Sequence, residues 1–190
     1  MDLVHRIPTE IPEEVVKWFS YPGVTLSLSA QTFIRHLMAF REAINDDAVS
    51  DGAIILEENI EVAPDFDDRF DPILEDLPGD TQILLLSHYV TDWSKVTPYV
   101  ITDIDNQEDE NLVGTPNGDV HGSFAYWISR SWMERCLHLY DRPLRTLMID
   151  VESLSPALLT RTPTTLMVFQ PLAYRKDTPE YTKYFEFYGY

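Results

Sequence analysis

The stretch Ala53-Ile54-Ile55-Leu56-Glu57-Glu58-Asn59 decides the fold class. Its apolar run is too short for a helix and has the length of a buried strand, and the chain then delivers two glutamates at the carboxyl end of that strand. Upstream, Ser29 precedes Ala30 to Ile44, where Phe33, Leu37, Phe40 and Ile44 recur every three or four residues. This spacing predicts an amphipathic helix capped by Ser29, with Asn45 to Gly52 as the loop that follows. Downstream, Asp67 to Leu77 carries Phe70, Ile73, Leu74 and Leu77 on one face and is stopped by Pro78-Gly79-Asp80. Ile83 to Leu86 is then a second buried strand. Two apolar strands joined by one helix are the sequence form of a βαβ unit, so the expected class is α/β with a mostly parallel sheet.

Outward from this centre the signals thin. Residues 1–25 hold Pro8, Pro12 and Pro22 around a short helix expected over Glu13 to Phe19, and read as a lead-in. Residues 88–121 are polar and turn-rich around Tyr99-Val100-Ile101-Thr102, and a connection of that length is more often functional or mobile than idle. Gly122 to Ile128 returns to an aromatic strand, and Ser129 caps a helix to Tyr140 with Trp132, Met133, Cys136, Leu137 and Tyr140 on one side. Thr164 to Phe169 is another strand, and residues 181–190 form an aromatic tail. No internal repeat occurs, and 190 residues suit one domain over the whole chain.

Composition excludes several classes. There are 32 Asp and Glu against 14 Lys and Arg, a formal charge of −18, with a pI near 4.4. A nucleic-acid binder needs the opposite field. No run approaches the roughly 20 apolar residues of a membrane span. The first residues, Met1-Asp2-Leu3-Val4-His5-Arg6, lack an apolar signal core, and the single Cys136 cannot form an internal disulfide. The expected location is therefore cytoplasmic.

Carboxylates at a strand end are a common means of holding a hard divalent cation, Mn²⁺ or Mg²⁺, on a diphosphate. Three segments compete: Glu57-Glu58-Asn59 with Glu61, Asp65-Phe66-Asp67-Asp68 at a helix start, and Asp103-Ile104-Asp105 after Tyr99 to Thr102. Between residues 57 and 80 there are ten acids and one base, Arg69. The same carboxylates also suit plain strand ends and helix N-termini in so acidic a chain. His36, His88 and His121 do not stand at transition-metal spacing and read as surface or core-edge positions, with a cleft lining as the alternative for His88 and His121. The rings of Tyr126 and Trp127 more often pack in a core than line a site. No Gly-x-Ser-x-Gly, Walker or Gly-x-Gly-x-x-Gly pattern is present. Cys136 lies on an apolar helical stripe and reads as core.

Taken in order, these segments resemble glycosyltransferase family 25, the lipopolysaccharide-biosynthesis and procollagen galactosyltransferase group, over roughly residues 26–176. Leu26-Ser27-Leu28-Ser29 leading to Arg35-His36-Leu37-Met38-Ala39-Phe40 is similar to the family's Ser-rich entry and Ser-His-Leu-x-x-Trp helix. Ile54-Ile55-Leu56-Glu57-Glu58-Asn59 resembles its Leu-Glu-Asp-Asp strand, and Pro64-Asp65-Phe66 its Pro-Asp-Phe segment. Gly122-Ser123-Phe124-Ala125-Tyr126-Trp127-Ile128-Ser129 is similar to Gly-x-x-x-Tyr-x-Ile-Ser, and Gln170-Pro171-Leu172-Ala173 to Pro-Pro-Leu-Ala.

The resemblance implies a three-layer GT-A nucleotide-sugar fold and metal-assisted sugar transfer from a nucleoside-diphosphate donor to a glycan hydroxyl. It places Glu57, Glu58 and Asn59 at the metal and donor motif; Asp103 and Asp105, read from the acids after Tyr99 to Thr102, are the runner-up. It puts His36 beside substrate, Glu58 among the catalytic groups, and Asp150 near the acceptor as general base; His88, as a cleft histidine, and Tyr126 and Trp127, as rings that stack on sugar faces, are expected beside substrate on their own residue types. Two departures accompany it. Asn59 stands where the family has a second Asp, and Val4-His5-Arg6 is all that resembles its opening nucleotide-holding strand. They keep open a second expectation, a glycosyltransferase-like module that binds or assembles carbohydrate without turning it over.

Overall fold

The computed structural model describes residues 4–20, 25–87, 89–90, 97–100, 112–115, 120–121, 123–141, 155–160, 164–168 and 172–175. In chain order the elements are β1 (Val4–Arg6), α1 (Glu13–Phe19), α2 (Leu28–Asn45), β2 (Gly52–Leu56), β3 (Ile60–Val62), α3 (Phe66–Glu75), β4 (Ile83–Leu85), β5 (Tyr89–Val90), β6 (Thr97–Val100), β7 (Leu112–Thr115), β8 (Val120–His121), β9 (Ala125–Ser129), α4 (Arg130–Tyr140), α5 (Ala157–Thr160), β10 (Thr165–Val168) and β11 (Ala173–Arg175). The class is α/β. Two compact units share the chain: Met1–Glu58 with Ile128–Thr162, and Asn59–Trp127 with Pro163–Tyr190.

In the first unit β1 lies beside β2. β1 runs parallel to β2, with Val4 opposite Ile54, His5 opposite Ile55 and Arg6 opposite Leu56, and Ile7 N extends the ladder by donating to Leu56 O at 2.8 Å. All five residues of β2 are buried, as expected of a strand covered on both faces. The lead-in read from the prolines is therefore in part a sheet strand, and α1 occupies the expected range.

α2 forms because Ala30, Phe33, Ile34, Leu37, Phe40 and Ala43 fall at three- and four-residue intervals and are all buried. Burying side chains such as Phe33 and Leu37 contributes about 1.5–3 kcal/mol each. Its cap is Ser27 rather than Ser29: Ser27 Oγ accepts from Ala30 N at 3.2 Å from an extended backbone. Both serines precede the apolar period, and only the backbone bend selects between them. Ser129 does cap α4, accepting from Trp132 N at 3.3 Å. Phe33 meets Tyr140 edge-on, with centroids 5.4 Å apart, and Trp132 Nε1 donates to Leu159 O at 2.8 Å. Arg130 joins three segments: its backbone N–H donates to Asp51 O, and its guanidinium to Val49 O at 2.6 Å and Ile44 O at 3.0 Å.

In the second unit the order is β9-β4-β10-β7-β6. β10 is parallel to β4, with Thr165 opposite Ile83, whereas β7 is antiparallel to β10 and β6 antiparallel to β7. The sheet is thus mixed. β6 and β7, in a stretch read as irregular connection, supply its antiparallel members. The neighbours of β4 are β9 and β10; β9 lies far along the chain, so no local pattern announces it. Two further pairs, β3 with β11 and β5 with β8, are antiparallel. α3 starts at Phe66, whose ring stacks on Phe70 at 5.0 Å, and ends at Glu75 ahead of the proline-glycine stop.

Candidate functional site

β2 is buried along its length, and the chain leaves it at Glu57, which is one-quarter exposed, and Glu58, which is exposed. A fully apolar strand ending in two carboxylates forces them to the rim of the sheet, because the strand pays no desolvation cost only if the charges start where it stops. The adjacent strand sets the turn. Arg6 ends β1 opposite Leu56, and its Nη1 donates to Glu57 O at 3.4 Å and Glu58 O at 3.3 Å. One guanidinium therefore secures the backbone that presents both carboxylates, and supplies positive charge at the same rim. Asn59 follows in the same turn and is partly buried.

His36 comes to this turn from the middle of α2. It is fully buried, and its Nε2 lies 3.9 Å from Glu57 Oε1. Burial lowers its pKa from 6.5 to about 3, and the neighbouring Arg35 guanidinium pushes the same way. The Glu57 carboxylate pulls in the opposite direction, but 3.9 Å is beyond a shared proton and loss of hydration outweighs it. His36 is therefore a neutral imidazole at physiological pH.

The other anticipated residues fall differently. Tyr126 and Trp127 are inside β9, at 0% and 7% exposure, so neither ring presents a face to solvent. Pro64-Asp65-Phe66 is the entry to α3, where Asp65 sits at the cap position without a side-chain cap bond and Oδ1 is 3.9 Å from Arg69 Nη1. Glu61, on β3, accepts from Tyr174 Oη at 3.3 Å. Leu172 and Ala173 both donate to Leu86 O, and Ala63 donates to Leu172 O, so Leu172 and Ala173 stitch the end of β4 to the approach to α3. His88, Asp103, Asp105 and Asp150 lie outside the described residues, and of His121 only the strand is described. Cys136 is buried, and its thiol is pushed up to about 12 by burial, against the pull of Arg135.

Arg6 is the site residue that sequence reasoning underweighted. Its only signal is a base in a chain with few of them, two residues before Pro8. Among the described residues no group of three or more His, Cys, Asp or Glu side chains converges as a ready-made cage for a metal ion, and no helix is long and apolar enough to cross a membrane. The donor set at Glu57, Glu58 and Asn59 is nonetheless all oxygen. Mg²⁺ and similar ions commonly take one or two carboxylates and complete their shell with substrate phosphates and water, and that chemistry fits this turn. No protein-family model matches the chain, and no curated protein matches it.

Proposed function

We propose that this protein is a glycosyltransferase that moves a sugar from a nucleoside-diphosphate donor to a glycan hydroxyl with the help of Mn²⁺ or Mg²⁺, on a three-layer fold of the GT-A type, in the cytoplasm. The observation that carries the reading is the rim formed by β1 and β2: a buried strand ending in Glu57 and Glu58, held by Arg6 from the parallel strand beside it. The ordered segments that resemble family 25 support it, and so does β1, which supplies a strand where that family has its opening one.

Glu57 and Glu58 would hold the divalent ion through carboxylate oxygens, with the Asn59 amide oxygen beside them, and the bound ion would offset charge on the leaving diphosphate. Neutral His36 behind Glu57 orients that carboxylate without competing for a proton. Asp150 takes the proton of the acceptor hydroxyl as its oxygen bonds to the anomeric carbon and the carbon–oxygen bond to the diphosphate breaks. The test is calorimetric titration with Mn²⁺ and then with nucleotide sugars, followed by turnover. Binding lost in Glu58→Ala, together with loss of turnover, supports the reading, and no binding of any nucleotide sugar in the presence of Mn²⁺ rejects it. The specific feature favouring a non-catalytic carbohydrate module is Asn59, a neutral donor where an acid is expected; nucleotide-sugar binding without any turnover would establish that second reading.

A further inference from the structure

A cleft of about 300 Å³ opens in the first unit, away from the carboxylate turn along α2, and is lined by Glu14, Val15, Trp18, Phe19, Arg41 and Asp141. α1 supplies its apolar wall. Trp18 is 52% exposed, one of few large hydrophobic side chains so open among the described residues, while Phe19 next to it is 2% exposed and anchors the helix. The polar wall is an ion pair between Arg41 on α2 and Asp141 just beyond α4, with side chains 48% and 23% exposed.

We propose that this cleft binds a pyranose ring, with Trp18 as the stacking platform and the Arg41–Asp141 pair as hydrogen-bonding partner to ring hydroxyls. The charges narrow the class of ligand. Glu14 and Asp141 repel an anion such as a phosphate, while the Arg41–Asp141 pair offers one small ligand a donor and an acceptor side by side. A purely apolar side chain would strip water from the ion pair and give nothing back. A neutral ring with one apolar face and a rim of hydroxyls satisfies every wall: its C–H face covers the indole, and its hydroxyls give to the carboxylates and take from the planar guanidinium. The volume suits one ring at the small end of ligand sites. The proposal does not rest on sugar transfer at Glu57 and Glu58 and stands or falls separately.

Saturation-transfer NMR on the full chain tests it, with methyl glucopyranoside, methyl galactopyranoside, methyl N-acetylglucosaminide, lactose and chitobiose as probes and choline as the cationic control. Saturable binding of at least one saccharide is expected, weakened at least tenfold in Trp18→Ala and in Arg41→Gln, and kept within twofold in Glu57→Ala. Circular dichroism identifies a variant that has failed to fold, and Arg41→Gln, on a helix buried along its other face, serves where Trp18→Ala does. Absence of saturable saccharide binding overturns the proposal. So does binding that both variants leave intact, binding lost instead in Glu57→Ala, or choline binding in place of the saccharides.

Discussion

Acidification from pH 7.5 to 5.0 should remove about 2 kcal/mol of stability through His36 alone. The side chain is fully buried in α2, and its pKa is lowered from 6.5 to about 3 by that burial. The folded protein therefore leaves the imidazole neutral throughout this range, whereas the unfolded chain binds a proton as the pH falls through 6.5. Because the folded value is the lower one, the contribution is complete above 6.5 and is lost as pH falls toward 3. Each pH unit below 6.5 costs about 1.4 kcal/mol, which gives about 2 kcal/mol at pH 5.0. Urea unfolding of the wild type and of His36→Gln at both pH values isolates the effect, because carboxylates elsewhere respond alike in the two proteins. The wild type should lose about 2 kcal/mol more than the variant. Equal losses, or an imidazole carbon shift in the folded protein that titrates with a midpoint between 6 and 7, would refute the reasoning and mean that Glu57, at 3.9 Å, stabilises a charged His36.

Three further outcomes follow from the same structure. Ser27→Ala should cost about 1 kcal/mol by urea unfolding, since Ser27 Oγ satisfies Ala30 N at the start of α2, and Ser27→Asp should retain most of it. Arg130→Ala should cost about 2 kcal/mol, because Val49 O and Ile44 O lose a charged donor; Arg130→Lys, with no planar fork to reach two carbonyls, should recover less than half. The Cys136 thiol, buried and pushed up to about 12, should not react with an aromatic disulfide reagent at pH 8 in the native protein and should react stoichiometrically in urea. Labelling of the native protein within minutes would show that α4 opens locally.

Much of the scaffold was legible because burial imposes a period. Phe33, Leu37 and Phe40 mark α2, Met133 and Cys136 mark α4, and Ala53 to Leu56 and Ile83 to Leu85 read as buried strands with no help from the rest of the chain. The carboxylates at the end of β2 were visible for the same reason, as an apolar run has to end where charge begins. β1 was not legible. Val4-His5-Arg6 has no alternation or apolar run, and it is a strand only because Ile54, Ile55 and Leu56 stand beside it. The pairing of β6 with β7 and of β3 with β11 likewise depends on partners rather than on pattern.

The candidate site divides along the same line. That Glu57 and Glu58 sit at a strand end was a property of the local sequence. That Arg6 holds their backbone, that His36 lies behind Glu57 in a dry environment, and that Tyr126 and Trp127 turn inward were settled by packing. Sequence by itself determined which segments must bury and where their charges must emerge, because hydrophobic period and desolvation act within a few residues of chain. Tertiary structure alone decided which strands are neighbours, which cap serine is used and which histidine loses its water, because those depend on contacts between residues that lie tens of positions apart.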